Sequence, residues 1–174
     1  NRKSCISCSS RSVKMITLIA ACSKNRVIGC NGKIPWNIPT ERDRFKELTK
    51  GKFVIMGRKS FEEISHALSY CTIIVVSKSL KKVPKGCLLT SSLEQAIAFC
   101  GKDVIIAGGQ EIYEKTIQFA DLIYLTEIDL QVEGDRFFPD FDTNKYTMTV
   151  DKSFQGEIPY KYITYKKRFK IWNN

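Results

Sequence analysis

The chain has 174 residues, 43% of them hydrophobic, which is enough for one domain with a single core and too few for two full domains. Its formal charge of +10 favours anionic ligands but does not choose among a dinucleotide, a folate and a nucleic acid. No apolar run approaches the length that a bilayer requires, so the sequence predicts no membrane span and no membrane partner.

The cysteines predict a reduced, cytoplasmic protein. There are seven, an odd number, and most are scattered through apparently regular segments without the spacing of metal ligands. Cys5 and Cys8 form a C-x-x-C pair, but no second pair follows and the single histidine, His66, lies far along the chain. We therefore expect free thiols and no metal site.

The two ends of the chain are predicted to lie outside the folded domain. Residues 1–14 are polar and lack the apolar centre of a secretory signal, so we interpret them as an N-terminal extension that is disordered or non-native. The domain is predicted at residues 15–169, followed by a short tail at residues 170–174.

The first predicted elements place an acidic side chain on the inner face of a helix. Met15 to Cys22 is a nearly continuous apolar run, typical of a central strand that is covered on both faces. Ser23 to Pro39 is rich in glycine and proline and predicts a long loop, ordered or gated. Thr40 then fits the N-cap of a helix, and Glu41 points the same way as Phe45, four residues later.

The middle of the chain repeats strand, turn and helix. Apolar runs predict strands at Phe53 to Met56, Thr72 to Val76 and Asp103 to Ala107. Helices are expected after a cap at Ser60, after a capping box formed by Ser92 and Gln95, and from Gln110 to Gln118. This alternation predicts an α/β fold with a central, mostly parallel sheet flanked by helices.

The last third of the chain changes character. Leu122 to Asp129, Tyr146 to Ser153 and Tyr160 to Arg168 are rich in β-forming residues, with no convincing helix between them. We therefore predict that the sheet ends in a C-terminal antiparallel hairpin.

Residue types that bind anions follow three of the predicted strands. They are Gly57-Arg58-Lys59-Ser60, Ser77-Lys78-Ser79 and Gly108-Gly109-Gln110. Ligands collect at the carboxyl ends of parallel strands, and Arg58 and Lys78 suit the 2′-phosphate of NADPH better than the bare ribose of NADH. The G-x-G-x-x-G fingerprint is absent, and the diglycine taken alone fits an ordinary turn equally well.

Glu41 also has two interpretations. A glutamate in the first turn of a helix commonly stabilises the helix dipole. However, Pro35-Trp36-Asn37-Ile38-Pro39 leads directly to it and would form a rigid wall that excludes water. Burial beside such a wall raises the pKa of a carboxyl group toward values useful for acid catalysis.

Several motifs occur together and in a characteristic order. They are Ile19-Ala20-Ala21, Asn25-Arg26-Val27-Ile28-Gly29, the segment from Pro35 to Pro39 with Glu41, Phe45-Lys46, Val54 to Phe61, Ala107-Gly108-Gly109, Ile112-Tyr113 and Glu133 to Pro139. With these motifs the sequence resembles the bacterial dihydrofolate reductases from Met15 to about Arg168, nearly the whole predicted domain.

The resemblance implies a pterin site. Glu41 would bind ring N3 and the 2-amino group, and Trp36 would hold an ordered water nearby, so these two residues are the catalytic candidates. The substrate-binding residues that the resemblance implies are Ile19, Ala20, Ala21, Arg42, Phe45, Ile64, Leu68, Ala107, Tyr113 and Thr126.

The resemblance also implies NADPH as cofactor. Gly108 and Gly109, joined by a cis peptide in the family, would lie behind the pyrophosphate and nicotinamide. Asn25 to Asn37 would form a mobile lid, bonded near Gly29 by Asp135. The implied cofactor-binding residues are Ala21, Ile28, Gly29, Ile34, Gly57, Arg58, Lys59, Ser60, Ser77, Lys78, Ser79, Gly108, Gly109, Gln110, Glu111 and Ile112.

The implied activity is reduction of 7,8-dihydrofolate to tetrahydrofolate, with hydride transfer to C6 and protonation of N5, by a monomer. Two departures from the family pattern bear on it. Cys71 stands where relatives carry the arginine that binds the folate glutamate tail, and Arg42 stands at a position that is usually uncharged. Arg42 either replaces the missing cation or is a solvated surface residue.

Three other functions compete with this one. A reductase of a tail-less dihydropterin is favoured by Cys71. A riboflavin-pathway reductase would share the fold, but the spacing of Trp36 and Glu41 argues against it. A nucleic-acid-binding protein would fit the charge, but the aromatic residues are not interleaved with Lys and Arg, and Lys78 to Lys85 is typical of a solvated loop.

Overall fold

The computed structural model describes residues 13–168, so the predictions on residues 1–12 and 169–174, including Cys5 and Cys8, lie outside the described residues. The strands are β1 (Met15–Ser23), β2 (Val27–Gly29), β3 (Phe53–Gly57), β4 (Thr72–Val76), β5 (Leu88–Thr90), β6 (Asp103–Ile106), β7 (Leu122–Ile128), β8 (Arg136–Phe137), β9 (Tyr146–Phe154) and β10 (Tyr160–Lys167). The helices are α1 (Pro39–Thr49), α2 (Arg58–Ile64), α3 (Leu93–Phe99) and α4 (Gln110–Thr116), with 3₁₀ turns at Ile117–Phe119 and Thr143–Lys145.

The central sheet has eight strands in the order β5-β4-β3-β6-β1-β7-β10-β9. All neighbouring pairs are parallel except those made by β10, which runs antiparallel to both β7 and β9. The predicted α/β fold with a mostly parallel sheet and a C-terminal antiparallel hairpin is therefore confirmed.

Both faces of the central strands β1, β3, β4 and β6 are covered, which explains their continuous apolar runs. Alternate residues of β1 enter different core clusters: Leu18 packs on one face with Ile55 and Ile106. Ile19 packs on the other face with Val54. A strand with one solvated face would instead alternate apolar and polar residues along the chain.

Two of the predicted helix caps are wrong. Helix α1 begins at Pro39, because proline fixes a helical φ at the first position, and Ile38 is its N-cap without a side-chain hydrogen bond. Helix α2 begins directly after the strand, with Gly57 as N-cap, so Ser60 lies inside the helix. The Ser92 cap is confirmed, since its hydroxyl accepts a hydrogen bond from the Gln95 amide at 3.2 Å.

The segment from Ser23 to Pro39 is not all loop. It contains β2, which pairs antiparallel with β8. The amide of Asp135 donates to the carbonyl of Gly29 at 3.1 Å, so the expected contact between these residues is present through the backbone. Gly134 permits this close approach, because a Cβ there would lie 2.2 Å from Val27 Cγ1 and 2.7 Å from the Gly29 carbonyl.

Lys14, which the sequence assigned to the extension, contacts the domain. Its Nζ donates to the carbonyls of Ile97 at 3.0 Å and Gly101 at 3.1 Å, and also to that of Cys100, at the C-terminus of α3. A cation at this end of a helix binds carbonyls that lack helical partners. Among residues 13–168 no helix is long and apolar enough to cross a membrane.

Candidate active site

A cleft of about 2120 Å³ lies at the carboxyl ends of the parallel strands. Every residue that the sequence predicted as catalytic, substrate-binding or cofactor-binding lines it, from Ile19 on β1 to Thr126 on β7. The fold therefore brings the predicted set together in one place, whereas the individual roles stay predictions. Among the residues that sequence reasoning did not select, Arg44, Tyr70 and Tyr124 also line the cleft.

Glu41 lies at one end of this cleft, in the first turn of α1. Its Oε1 accepts a hydrogen bond of 2.5 Å from the hydroxyl of Thr126 on β7. The same hydroxyl accepts a hydrogen bond of 3.1 Å from Arg44 Nη1. Two hydrogen bonds thereby connect Arg44 and Glu41 of the helix through Thr126 of the strand.

Burial raises the pKa of Glu41 above its ordinary value, while the hydrogen bond from Thr126 and the charge of Arg44 act in the opposite direction. Burial dominates because a partly desolvated carboxylate loses more hydration than one hydroxyl and one nearby cation restore. Glu41 thus keeps its proton to a higher pH than an exposed glutamate does. This direction of the pKa shift suits a group that supplies a proton.

Sequence reasoning missed Arg44, which is linked to Glu41 through Thr126. It follows Glu41 by three residues on the same helix, a spacing that places two side chains on one face. That spacing was the available signal. Its further partners, Asp151 on β9 and Tyr162 on β10, belong to the C-terminal hairpin and carry no local sequence signal.

The opposite wall is formed by Gly108 and Gly109, whose peptide bond is cis. Gly108 has a φ of +117° and its carbonyl accepts from the amide of Gly57 at 2.9 Å. A Cβ on Gly109 would lie 2.8 Å from Ser60 Oγ, and one on Gly108 would lie 3.0 Å from the same atom. The positive φ disfavours a side chain at Gly108, and at Gly109 the Ser60 hydroxyl would have to move to admit one, so both positions leave backbone exposed to a flat or phosphate-bearing ligand.

Cations and hydroxyls surround this diglycine wall. Arg58 at the start of α2 forms an ion pair of 2.7 Å with Glu62, one turn later. Lys78 lies in the turn after β4, where the Ser77 hydroxyl accepts from the amide of Ser79 at 3.2 Å. A wall of bare backbone flanked by the half-buried Arg58 and the exposed Lys78 fits a phosphate-rich dinucleotide such as NADPH.

Comparison with known proteins agrees with this geometry. The dihydrofolate reductase family profile matches residues 15–167. Dihydrofolate reductase from Bacillus subtilis (strain 168) is 33% identical over 160 residues, covering 88% of this chain and 95% of that protein. The enzyme from Neisseria gonorrhoeae is 42% identical over 130 residues, covering 73% of this chain and 80% of that protein. The chain belongs to the dihydrofolate reductase family.

A solved structure gives the same result for the fold. Dihydrofolate reductase from Enterococcus faecalis, complexed with NADP(H) and RAB-propyl, superposes with a TM-score of 0.81 at 28% identity. The match covers 89% of this chain and 97% of that one. As a member of the dihydrofolate reductase family, the chain is an NADPH-dependent oxidoreductase, so the cleft has to hold a dinucleotide as well as a substrate.

Tyr113 supports the floor of this reductase cleft. Its hydroxyl donates to the carbonyl of Ile19 at 2.6 Å, and its ring meets Phe138 edge-on with centroids 5.0 Å apart. Burial raises the pKa of Tyr113, so the phenol stays protonated and remains a donor. The carbonyl of Ile19 keeps one lone pair for a ligand.

At Cys71, where we expected a departure from other dihydrofolate reductases, the side chain points into the core. Cys71 is buried in a core cluster, and burial raises the pKa of its thiol, so it is a packing residue. Tyr70 lines the cleft instead, with Lys46 Nζ 5.8 Å from its ring centroid. Arg42 lines the cleft and is exposed.

Proposed function

We propose that the chain reduces 7,8-dihydrofolate to 5,6,7,8-tetrahydrofolate. The observation that carries this proposal is Glu41, a partly buried carboxyl with a raised pKa, held by Thr126 at the end of the cleft that faces α1. A pterin presents two adjacent N–H donors on one edge, and a carboxylate accepts both in a fixed orientation. NADPH supplies the hydride when it is bound.

Glu41 orients the ring and favours protonation of N5, directly or through water. Because the carboxyl is buried, its proton is available at a pH where an exposed glutamate has lost it. Trp36, which leads into α1 and packs against Ile38, limits the access of water to this end of the cleft. Phe45, Ile64 and Leu68 present apolar surface to the rest of the substrate.

A reductase of a tail-less dihydropterin is the second candidate. It is favoured by Cys71, which is buried beneath the cleft wall and offers no charge to a glutamate tail. Arg42 is the alternative cation for that tail, since it is exposed at the cleft and makes no ion pair among residues 13–168. The cytoplasmic location, the monomeric state and the absence of nucleic acid as partner stay predictions.

The test follows NADPH oxidation with dihydrofolate and with a tail-less 7,8-dihydropterin, in the native chain and in Glu41→Gln. We expect turnover of dihydrofolate, and a kcat reduced by roughly 10²- to 10⁴-fold in the variant, the usual contribution of a positioned acid. Glutamine keeps the size and polarity of the side chain, so NADPH binding measured by fluorescence provides the control for folding. Preference for the tail-less substrate would favour the second candidate, and no turnover of either would refute both.

A further inference from the structure

Arg44 is nearly buried at the inner face of α1, with only 11% of its side chain exposed. Nη1 donates to Thr126 Oγ1 at 3.1 Å, and Nη2 lies 3.6 Å from Asp151 Oδ2. A guanidinium group has no acceptor, so it can act on Thr126 only as a donor. Asp151 in turn accepts from the Thr164 hydroxyl at 2.6 Å, which fixes the carboxylate that faces Arg44.

Aromatic rings hold the guanidinium in this position. Its central carbon lies 4.0 Å from the centroid of the Tyr162 ring and 5.8 Å from that of Tyr124. The Tyr162 hydroxyl donates to the carbonyl of Thr40 at 3.1 Å, so the ring is tied to the start of α1. Stacking on an aromatic face and a bidentate arrangement of donors are both properties that lysine lacks.

Arg44 donates to the Thr126 hydroxyl, which donates to Glu41, so Arg44 influences the carboxylate through Thr126. A hydroxyl has one proton, and at Thr126 one lone pair is occupied by the donor from Arg44. When Glu41 is ionised, the Thr126 proton is the one that reaches Oε1, across 2.5 Å. A hydroxyl that accepts from a cation is polarised and donates more strongly.

We propose that Arg44 is a positioning residue for Glu41: it directs the Thr126 hydroxyl at the carboxylate and stabilises the ionised form. The proposal rests on the proposed function only in taking Glu41 as the acid of the reaction. In this proposal Arg44 acts through Thr126 and through its charge, and not by binding the substrate.

The charged and titratable groups around Glu41 define the balance that Arg44 sets. Thr126 of β7 contacts Glu41, whereas Tyr124 of β7, Tyr162 of β10 and Asp151 of β9 lie around Arg44. Burial raises the pKa of Tyr162, so that ring stays neutral. Burial lowers the pKa of Arg44, opposed first by the charge of Glu41 and then by that of Asp151. The guanidinium keeps its charge throughout the range in which proteins fold.

The consequence is a limit on how far burial raises the pKa of Glu41. Without Arg44, the buried carboxyl would hold its proton to a still higher pH. A carboxyl group that holds its proton too tightly is a poor donor, so the cation keeps the group closer to the pH at which it can exchange protons.

The direct test measures the titration of the Glu41 carboxyl in the ligand-free protein by carbon-13 NMR, with the resonance assigned by its loss in Glu41→Gln. We expect Arg44→Gln and Thr126→Val each to move the titration midpoint to higher pH. Because both act on one hydrogen-bonded chain, the double variant should move it by less than the sum of the two. Arg44→Lys keeps the charge without the planar donors, so its titration midpoint should lie between that of the native chain and that of Arg44→Gln.

Lys50→Gln provides the matched control, because it removes one positive charge from an exposed position at the end of α1. It should leave the midpoint where it is in the native chain. An unchanged or lowered midpoint in Arg44→Gln, or an equal shift in Lys50→Gln, would overturn the proposal and leave Arg44 as a brace between α1 and the hairpin. If Arg44→Gln does not fold, Arg44→Lys decides the point, because it keeps the charge without the planar donor to Thr126 and should still raise the midpoint above that of the native chain.

The pH dependence of turnover separates this proposal from the proposed function. If Glu41 is the acid, activity is lost as pH rises through its midpoint, and Arg44→Gln should retain activity to higher pH than the native chain. A chain that reduces neither pterin would refute the proposed function, while the NMR titration would still decide the role of Arg44.

Discussion

The two ends of the cleft are built in different ways. At the Glu41 end, a buried network joins residues of α1 and β7, and through Arg44 it continues into β9. At the diglycine end, exposed cations and bare backbone follow directly after strands, and Arg58 finds its partner Glu62 within its own helix. One end depends on tertiary packing and the other on local chain geometry.

This difference predicts how each end responds to substitution. At the Glu41 end the side chains are connected by hydrogen bonds, so the effects of substitutions there should be non-additive. They should also change the pH dependence of turnover. Exposed cations around an open wall should act almost independently and should appear in cofactor affinity and in its salt dependence.

The largest effect at the diglycine end is expected from Gly108→Ala. The alanine would have to adopt a φ of +117°, and its Cβ would lie 3.0 Å from Ser60 Oγ and 3.4 Å from Tyr113 Oη. Strain of this kind costs about 1 to 3 kcal/mol. If the backbone relieves the strain by distorting the NADPH site, the affinity for NADPH should fall by roughly five- to 150-fold. Fluorescence titration with NADPH measures the loss.

Gly51→Ala is the control for backbone strain alone. Gly51 has a φ of +72° and nothing within 4 Å of its Cβ position, and it lies in a turn outside the cleft. It should lower stability without changing NADPH affinity. Equal NADPH affinity in Gly108→Ala and the native chain would show that the diglycine is an ordinary turn, the alternative that the sequence left open.

A smaller effect is expected from Arg58→Gln, which removes one of the two cations suited to the 2′-phosphate. A hydrogen bond to a charged group contributes about 1.5 to 3 kcal/mol, so the ratio of KM for NADH to KM for NADPH should fall by roughly ten- to 150-fold. The measurement is the pair of KM values in one assay.

Glu62→Gln is the matched variant, since it releases Arg58 from its 2.7 Å ion pair without removing the cation. It should preserve or increase the preference for NADPH. A preference that survives in Arg58→Gln would assign the 2′-phosphate to other groups, with Lys78 the next to test.

The same contrast explains what the sequence could predict. Arg58, Lys59 and Ser60 follow β3 directly, so the alternation of strands and helices was enough to place them at one edge of the sheet. The mostly parallel sheet and the hairpin, though not the order of the strands, were predicted from apolar runs whose lengths and composition differ along the chain. Glu41 was found because an unusual motif precedes it on the chain.

What could not be predicted depends on contacts between distant segments. Arg44 is an ordinary charged residue of a helix until β9 and β10 place Asp151 and Tyr162 beside it. The short strands β2 and β8 are also missing from the sequence prediction, because two or three residues show no periodicity. Their pairing is made possible by Gly134, whose role is visible only in the distances around it.

The smallest effect is expected where the cleft opens to solvent, at Arg42. This residue is exposed, whereas Cys71, at which the resemblance implies that a tail-binding arginine is missing, is buried. An exposed ion pair contributes about 0.2 to 1 kcal/mol, so if Arg42 binds the folate tail, Arg42→Ala should raise KM for dihydrofolate by roughly 1.4- to fivefold and leave kcat unchanged. A buried bidentate arginine would contribute far more.

The tail-less dihydropterin is the internal control for Arg42, because it lacks the carboxylates that this residue would bind. Its KM should be the same in Arg42→Ala and in the native chain, so only the ratio of the two KM values should change. An equal rise for both substrates would point to a disturbed α1 near Glu41. An unchanged KM for dihydrofolate would make Arg42 a solvated surface residue and would leave the chain without a dedicated cation for the tail, which favours the tail-less substrate.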